Sequence, residues 1–329
     1  MKTRLLYFLL LAFVLGACQS PTQIKPKTIE PVLTLWNDTK VKTDMIAFVE
    51  KVSDENSADF VPVKERIAVF DNDGTLWNEK PLYIPVELEL AYIKKVFPNK
   101  PEWKDDKMYS AIASDNLAVL NDYSNAELAT KLFAAHAGQK EEEYKAFVYE
   151  TLTFVKHRKY NRPLKELTYS PMVELLEYLQ ANNFNVYIVT GGEITSVRTV
   201  SEEIYNIPME NVIGSSVGYK YIVGEEGKYT ERQAEISSNN DKHVKPTNIE
   251  LHIGRKPIFA AGNSDGDYEM MEYTLAGEGP SMAILVHHDD EEREYSYMHG
   301  TEKAVEDAEK QGWYVISMKK DFKEIFAKN

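Results

Sequence analysis

Cysteine is almost absent from this chain: among 329 residues only Cys18 carries a thiol. That excludes an intramolecular disulfide and a thiolate metal cluster, and it leaves the chain beyond Cys18 without a catalytic thiol. Net positive charge is missing as well. The 38 Lys and Arg stand against 52 Asp and Glu, a formal charge of −14, so no basic stripe can track the phosphates of a nucleic acid. A phosphorylated small molecule stays within reach, because a bound metal ion supplies positive charge locally. Hydrophobic residues make up 43% of the chain, enough for one large domain or two smaller ones.

The apolar run Leu5 to Leu15, preceded by Lys2 and Arg4, is too short to span a bilayer comfortably and has the shape of a signal peptide. Its end, Leu15-Gly16-Ala17-Cys18, resembles a bacterial lipobox. That resemblance implies that residues 1–17 are removed, that Cys18 is lipidated, and that the protein is held at a membrane outside the cytoplasm, in the periplasm or at the cell surface. Residues 18–31 are polar, carry three prolines and read as a tether.

From Trp36 onward two patterns alternate. Ile67 to Phe70, Asn185 to Thr190, Pro257 to Gly262, Met282 to His287 and Trp313 to Met318 read as buried strands. Short strands are expected at Asn211 to Ser215 and Tyr219 to Val223, with a hairpin return over Gly227 to Gln233. Helical spacing marks Thr39 to Val52, Pro171 to Ala181, Ile194 to Tyr205, Pro246 to Ile253, Glu302 to Gln311 and a closing helix, Phe322 to Ala327. Strands alternating with helices predict an α/β fold with a Rossmann-like parallel sheet. A block of helical spacing (Val86 to Val96, Tyr109 to Leu120, Asn125 to Ala137 and Glu141 to Lys156) interrupts the alternation after the first strand. The expected organisation is therefore a core of residues 32–77 and 170–329 with an all-helical cap, residues 78–169.

The chemistry-bearing residues fall where strands end. Ile67 to Phe70 runs into Asp71-Asn72-Asp73-Gly74-Thr75, two carboxylates at i and i+2 followed by a turn. In an open α/β sheet the carboxyl ends of the strands are where ligands bind. Asp71 can attack and bind metal there while Asp73 handles protons. Thr190-Gly191-Gly192 ends another strand, and its hydroxyl and amides suit an oxyanion. Gly262-Asn263-Ser264-Asp265-Gly266-Asp267 ends a third with hard oxygen donors suited to Mg²⁺. Lys245 precedes the helix that leads back into that strand, so it falls at the same edge, and Lys242 is also in reach. Arg255 and Lys256 fall at the opposite edge.

In this order and spacing the chain resembles the haloacid dehalogenase superfamily of phosphohydrolases, in the branch that looks like phosphoserine phosphatase. The resemblance runs from about Trp36 to the C-terminus. It is carried by Asp71-Asn72-Asp73-Gly74-Thr75, Thr190, Lys245 and Gly262 to Asp267, with the inserted block at the family's cap position. Trp36-Asn37-Asp38 and His287-His288-Asp289-Asp290 look like segments of secreted proteins of this type. One departure is visible: the family's fourth motif commonly begins Gly-Asp, and here it is Gly262-Asn263, which offers Mg²⁺ a carbonyl oxygen without charge.

The resemblance implies a Mg²⁺-dependent phosphomonoester hydrolase working on a small phosphorylated metabolite through an aspartyl-phosphate on Asp71. Asp73 is then the acid and base, and Thr190, Gly191 and Lys245 hold the phosphoryl oxygens. The metal is held by Asp71, the Asp73 backbone carbonyl, and Asn263 or Asp267. An acid two residues after the nucleophile has no work to do in dehalogenation, which favours phosphate esters. Two alternatives share the fold: a non-catalytic lipoprotein that binds a phosphorylated ligand, and a phosphotransferase with the same intermediate. A pure binder does not need the paired Asp71 and Asp73. Other conspicuous residues have simpler expectations: His287 to Asp290 as a solvated polar loop, Glu141 to Glu143 as a helix face in water, and Glu79 as either a reader of a substrate amine or a solvated cap residue.

Overall fold

The computed structural model describes residues 32–328. The proposed signal peptide, the tether and Cys18 lie outside the described residues.

The core is a seven-stranded sheet in the order β4-β3-β2-β1-β5-β6-β7. In chain order, helix α1 (Lys40–Ser53) leads into β1 (Ile67–Phe70); the inserted helices α2 (Ile84–Val96), α3 (Lys107–Ala113), α4 (Asn125–Ala134) and α5 (Glu141–Phe154) follow. Next come α6 (Ser170–Ala181), β2 (Asn185–Glu193), the short helices α7 (Ile194–Arg198) and α8 (Ser201–Tyr205), and the hairpin β3 (Val212–Gly224) and β4 (Gly227–Ser238). The chain returns through α9 (Val244–Ile253), β5 (Phe259–Gly262), α10 (Tyr268–Leu275), β6 (Met282–His287), α11 (Glu302–Gln311), β7 (Tyr314–Ser317) and α12 (Met318–Asp321). Every pairing is parallel except β3 with β4. Without the β4 edge, the order is that of a doubly wound sheet, which reverses direction between β1 and β5. That reversal opens a crevice beyond the strand ends.

Strand β1 shows how the sheet is held. Its four residues Ile67-Ala68-Val69-Phe70 are all buried and alternate between two cores. Ala68 and Phe70 face a cluster with Met45 and Val49 of α1 and Leu175 and Leu179 of α6. Ile67 and Val69 face Ile249 of α9, Met270 and Met271 of α10, and Ala304 and Ala308 of α11. A strand covered on both faces is apolar throughout, whereas a half-solvated one alternates. Of the insertion, α2, α3 and α4 enclose a small core of their own around Leu90, Ile93, Met108, Ile112 and Leu132. Helix α5 instead sends Tyr144, Phe147, Val148 and Leu152 into the main core.

Several elements differ from expectation. The helix expected over Tyr109 to Leu120 stops at Ala113. Asp115 there takes a left-handed conformation (φ 59°) and the amide of Asn116 folds back to Ala111, ending the helix before a 3₁₀ turn over Leu117–Asp122. The expected helix Ile194 to Tyr205 is two short ones. The three short strand segments over 211–233 are one long hairpin, whose backbone pairs with the insertion through Gly138 and Gln139 to Arg232. Phe322 to Ala327 is not helical. It bends at Lys323 and Ile325 and makes isolated bridges from Phe322 to Trp36 and from Phe326 to Tyr169. Helix α10 stands where no helical spacing is marked.

Candidate active site

Asp71 is the residue immediately beyond β1, and its amide still donates to Ala261 of β5 at 2.9 Å. That bond fixes its carboxyl group at the reversal point. Lys245, on the first turn of α9 and 2% exposed, donates to Asp71 Oδ1 at 2.7 Å, to Asp267 Oδ1 at 2.6 Å and to the Val189 carbonyl at 2.8 Å. All three ammonium hydrogens are therefore committed. The other oxygen of Asp71 has a longer contact, 3.4 Å from the Thr75 hydroxyl, which also reaches Asn263 Oδ1 at 3.3 Å.

The loop after β5 divides its polar side chains. Asn263 is buried over Gly74, where a Cβ would fall 2.0 Å from its Nδ2. Gly74 also has φ +77°, so both the conformation and the close approach require glycine. Asp267 accepts the amides of Asn263 (3.0 Å) and Ser264 (3.1 Å) on Oδ2 while Oδ1 takes Lys245. Both of its oxygens are engaged. Asp265 turns away from the site and accepts the Ala304 amide at 2.7 Å, satisfying the first turn of α11.

Asp73 Oδ1 accepts from the Trp77 indole at 2.9 Å. Its other side lies against Thr190 and Gly192: a Cβ on Gly192 would be 3.2 Å from Thr190 Oγ1 and 3.3 Å from Asp73 Oδ2. Burial raises the Asp73 carboxyl to about 7, aided by Glu79 and opposed by the Trp77, Lys245 and Thr190 contacts. Burial likewise pushes Asp71 well above the usual carboxylate range, with the Asp267 and Asp73 charges adding to it and Lys245 opposing. Tyr83 sits nearby, half exposed; burial and the Glu79, Asp73 and Asp71 charges raise its phenol.

The Thr190 segment is arranged differently from the expected oxyanion cradle. Strand β2 continues to Glu193, and the Gly192 amide is spent on the Thr190 hydroxyl at 2.9 Å. The first turn of α7 is satisfied by Glu193, whose carboxylate accepts the Ser196 amide at 2.9 Å. Thr190 itself is buried beside Asp73, held from behind by Asn240, which donates to the Thr190 carbonyl at 2.9 Å. The Gly191 carbonyl accepts from Ser215 at 2.7 Å.

Three expectations about bystanders are corrected. His288 is 1% exposed and Asp290 2%, so His287 to Asp290 is not a solvated loop. Glu141 is buried and accepts from Arg232 at 2.8 Å, and Arg232 also holds Glu193 at 2.9 Å; only Glu142 and Glu143 face water. Glu79 is 4% exposed. A cavity of about 530 Å³ lined by Asp59, Glu65, Arg255 and Lys256 lies at the other rim of the sheet. Trp77, His288 and Glu294 were given no role from sequence. Trp77 is signalled only by standing four residues after Asp73, and the other two by following the end of β6.

A two-aspartate strand end, a buried lysine and an oxygen-rich third loop converge on one crevice. The family model for haloacid dehalogenase-like hydrolases matches residues 68–272. The chain belongs to this family. No curated protein matches it. Among solved structures, a conserved protein of unknown function from Anaerococcus prevotii is similar, at 15% identity over 84% of this chain and 91% of that one, with a TM-score of 0.56. A protein of unknown function from Bordetella pertussis is similar at 16% identity over 77% of this chain and 99% of its own, with a TM-score of 0.51. Both likenesses are of fold. A phosphoserine phosphohydrolase-like protein from Francisella tularensis aligns at 21% identity over 76% of this chain and 94% of its own. Its TM-score is 0.43, too distant for an activity to transfer.

The family implies a metal, and the residues present fit one. Among the described residues no three His, Cys, Asp or Glu side chains form a metal cage. The oxygens that would hold it are instead mixed: the Asp71 carboxylate, the Asp73 carbonyl and the Asn263 amide oxygen. Four carboxylates, Asp71, Asp73, Glu79 and Asp267, are buried around one buried ammonium, with Lys80 reaching Glu79 from the edge at 3.4 Å. Such an excess of buried negative charge favours a cation. Hard oxygens in small number suit Mg²⁺, which keeps several waters.

Proposed function

We propose that this haloacid dehalogenase-like hydrolase is a Mg²⁺-dependent phosphomonoester hydrolase that acts on a small phosphorylated metabolite through a phosphorylated Asp71. The observation that carries the reading is the pairing of Asp71, held by Lys245, with Asp73, whose buried carboxyl group lies between the Trp77 indole and Thr190.

Asp71 attacks the phosphorus in line as the carboxylate, the form that Lys245 on one oxygen favours against the burial that raises its pKa. Asp73, whose carboxyl burial raises to about 7 so that both acid and base forms are populated near neutral pH, gives its proton to the leaving oxygen, and the resulting carboxylate then takes a proton from the water that attacks the acyl phosphate. Lys245, whose three hydrogens are taken by Asp71, Asp267 and the Val189 carbonyl, contributes its charge rather than a free donor beside the phosphoryl oxygens, and the Thr190 hydroxyl is the donor assigned to them. Mg²⁺, held by Asp71, the Asp73 carbonyl and Asn263, would supply positive charge that lowers the repulsion between carboxylate and phosphate dianion. Asp267 serves as the carrier of Lys245 and of the Asn263 loop. Pro85 of the insertion lies against Gly192 beside Asp73, and Arg232 of the β3–β4 hairpin joins Glu141 of the insertion to Glu193 at the end of β2, so both elements border the site.

The N-terminal reading supports a lipid anchor at Cys18 and action outside the cytoplasm. Hydrolysis of p-nitrophenyl phosphate by the purified protein, dependent on Mg²⁺ and abolished by EDTA and by Asp71→Asn, tests the proposal. Turnover retained by Asp71→Asn removes the nucleophile, and absence of turnover with a panel of phosphate monoesters favours a phosphate-binding lipoprotein instead.

A further inference from the structure

The residues that follow β6 form a buried polar cluster beneath the catalytic loop. His288 Nε2 lies 2.7 Å from the Gly74 carbonyl. A carbonyl only accepts, so that nitrogen carries the proton. Nδ1 of the same ring faces Glu294 Oε2 at 3.3 Å, a contact that holds the ring through a second proton shared between them. Glu294, fully buried, also accepts from Asn78, from the Tyr169 hydroxyl at 3.1 Å and from the Tyr295 amide. The imidazole is stacked on Tyr297, with ring centroids 4.5 Å apart and planes at 25°. Its orientation is thus fixed on three sides.

What the ring holds is the turn that carries Asp73. Gly74 follows Asp73 directly, and its amide donates to the Trp77 carbonyl at 2.8 Å. The Trp77 indole in turn donates to Asp73 at 2.9 Å. Asn78, the next residue, is bonded to the same Glu294 that orients His288. Gly74, with no side chain and a left-handed backbone, has little of its own to resist rotation of its peptide units. A donor on its carbonyl restrains it.

We propose that His288, oriented by Glu294, is a positioning residue that sets the place of the Asp73 carboxyl group through the Gly74 carbonyl and Trp77. The assignment rests on the hydrolase reading for its effect on rate, and on geometry alone for its effect on the loop. Without the His288 donor the Gly74 carbonyl is a buried acceptor without a partner and the turn relaxes. A misplacement of about 1 Å in a reacting group costs on the order of 100-fold in rate.

The test compares the wild-type chain with His288→Leu, His288→Gln and Glu294→Gln. Gln at 288 can still present an N–H to the Gly74 carbonyl. Two readouts are taken: kcat and KM for p-nitrophenyl phosphate in Mg²⁺, and the indole ¹H–¹⁵N resonance of Trp77, assigned by Trp77→Phe among the four tryptophans. The proposal expects His288→Leu to move the Trp77 resonance, to speed its hydrogen exchange and to lower kcat by about 10- to 100-fold with KM within about twofold. His288→Gln should recover most of both effects, and Glu294→Gln should fall between. A purely structural role would lower the melting temperature while leaving the Trp77 resonance and kcat in place, or would lower kcat equally in the Leu and Gln variants; either result overturns the proposal. If His288→Leu fails to fold, the Gln variants decide between the same outcomes. A wild-type chain that hydrolyses no phosphate ester refutes the hydrolase reading, and the indole readout still decides whether His288 positions the loop.

Discussion

Replacing Lys245 by Met is the perturbation that separates this site from an ordinary acidic turn. The methionine keeps nearly the length of the side chain and removes its charge and three donors. In the wild type those donors reach Asp71, Asp267 and the Val189 carbonyl, all buried, at 2.6–2.8 Å. Removing one partner of a buried ion pair costs roughly 3–5 kcal/mol, because the other charge is left uncompensated. For a domain of this size about 2 °C of melting temperature accompanies each kcal/mol, so a fall of about 6–10 °C is expected. The second variant, Lys245→Met with Asp267→Asn, takes away one of the two stranded charges and should regain about half of that loss. Thermal unfolding followed by circular dichroism in EDTA is the assay, so that no divalent ion replaces the lysine. Added Mg²⁺ should then stabilise the single variant by binding only the folded state. If Lys245→Met melts within about 2 °C of the wild type in EDTA, Lys245 is not the counter-ion of these carboxylates and the site's electrostatic argument fails.

Asp73→Asn should lower kcat by about two to four orders of magnitude, the usual contribution of a proton-transfer group, while Mg²⁺ binding measured by calorimetry persists. Asp265→Ala should cost about 1 kcal/mol in urea unfolding through loss of the α11 end contact, and should leave Mg²⁺ affinity unchanged; a large loss of affinity would make it a ligand instead. At Asp106 burial raises the carboxyl, but bonds from Lys131 and from the Tyr109 and Met108 amides hold it below its ordinary value. A folded pKa below the unfolded one adds stability above the unfolded value of about 4 that is lost as pH falls through the folded one. The wild type should therefore lose stability relative to Asp106→Asn as the pH falls below about 4, and a constant difference there would contradict the assignment.

The site was legible where one residue type is tied to one place in the fold. Ile67 to Phe70 is apolar on both faces, so the strand and its carboxyl end were readable, and with them the location of Asp71 and Asp73. Lys245 followed from the direction of the helix leading into β5. The division of labour among Asn263, Asp265 and Asp267 was not readable. Three oxygen-bearing side chains two residues apart differ only in where the backbone turns, and that is set by Lys245 and by the start of α11. Burial of loop residues was also hidden. Glu141 and His288 look like solvated polar groups until Arg232 and Gly74, 91 and 214 residues away, are brought against them. The closing segment misled for a different reason. Phe322, Ile325 and Phe326 have helical spacing, but cross-strand bridges to Trp36 and Tyr169 decide its conformation.

The central claim is that Asp71 becomes covalently phosphorylated. The direct measurement is to quench the enzyme in mid-turnover, reduce acyl phosphates with borohydride and sequence the peptides by mass spectrometry. The account predicts homoserine at position 71, formed only when substrate and Mg²⁺ are both present. Ongoing turnover with residue 71 unmodified, or with the modification on another side chain, would contradict it.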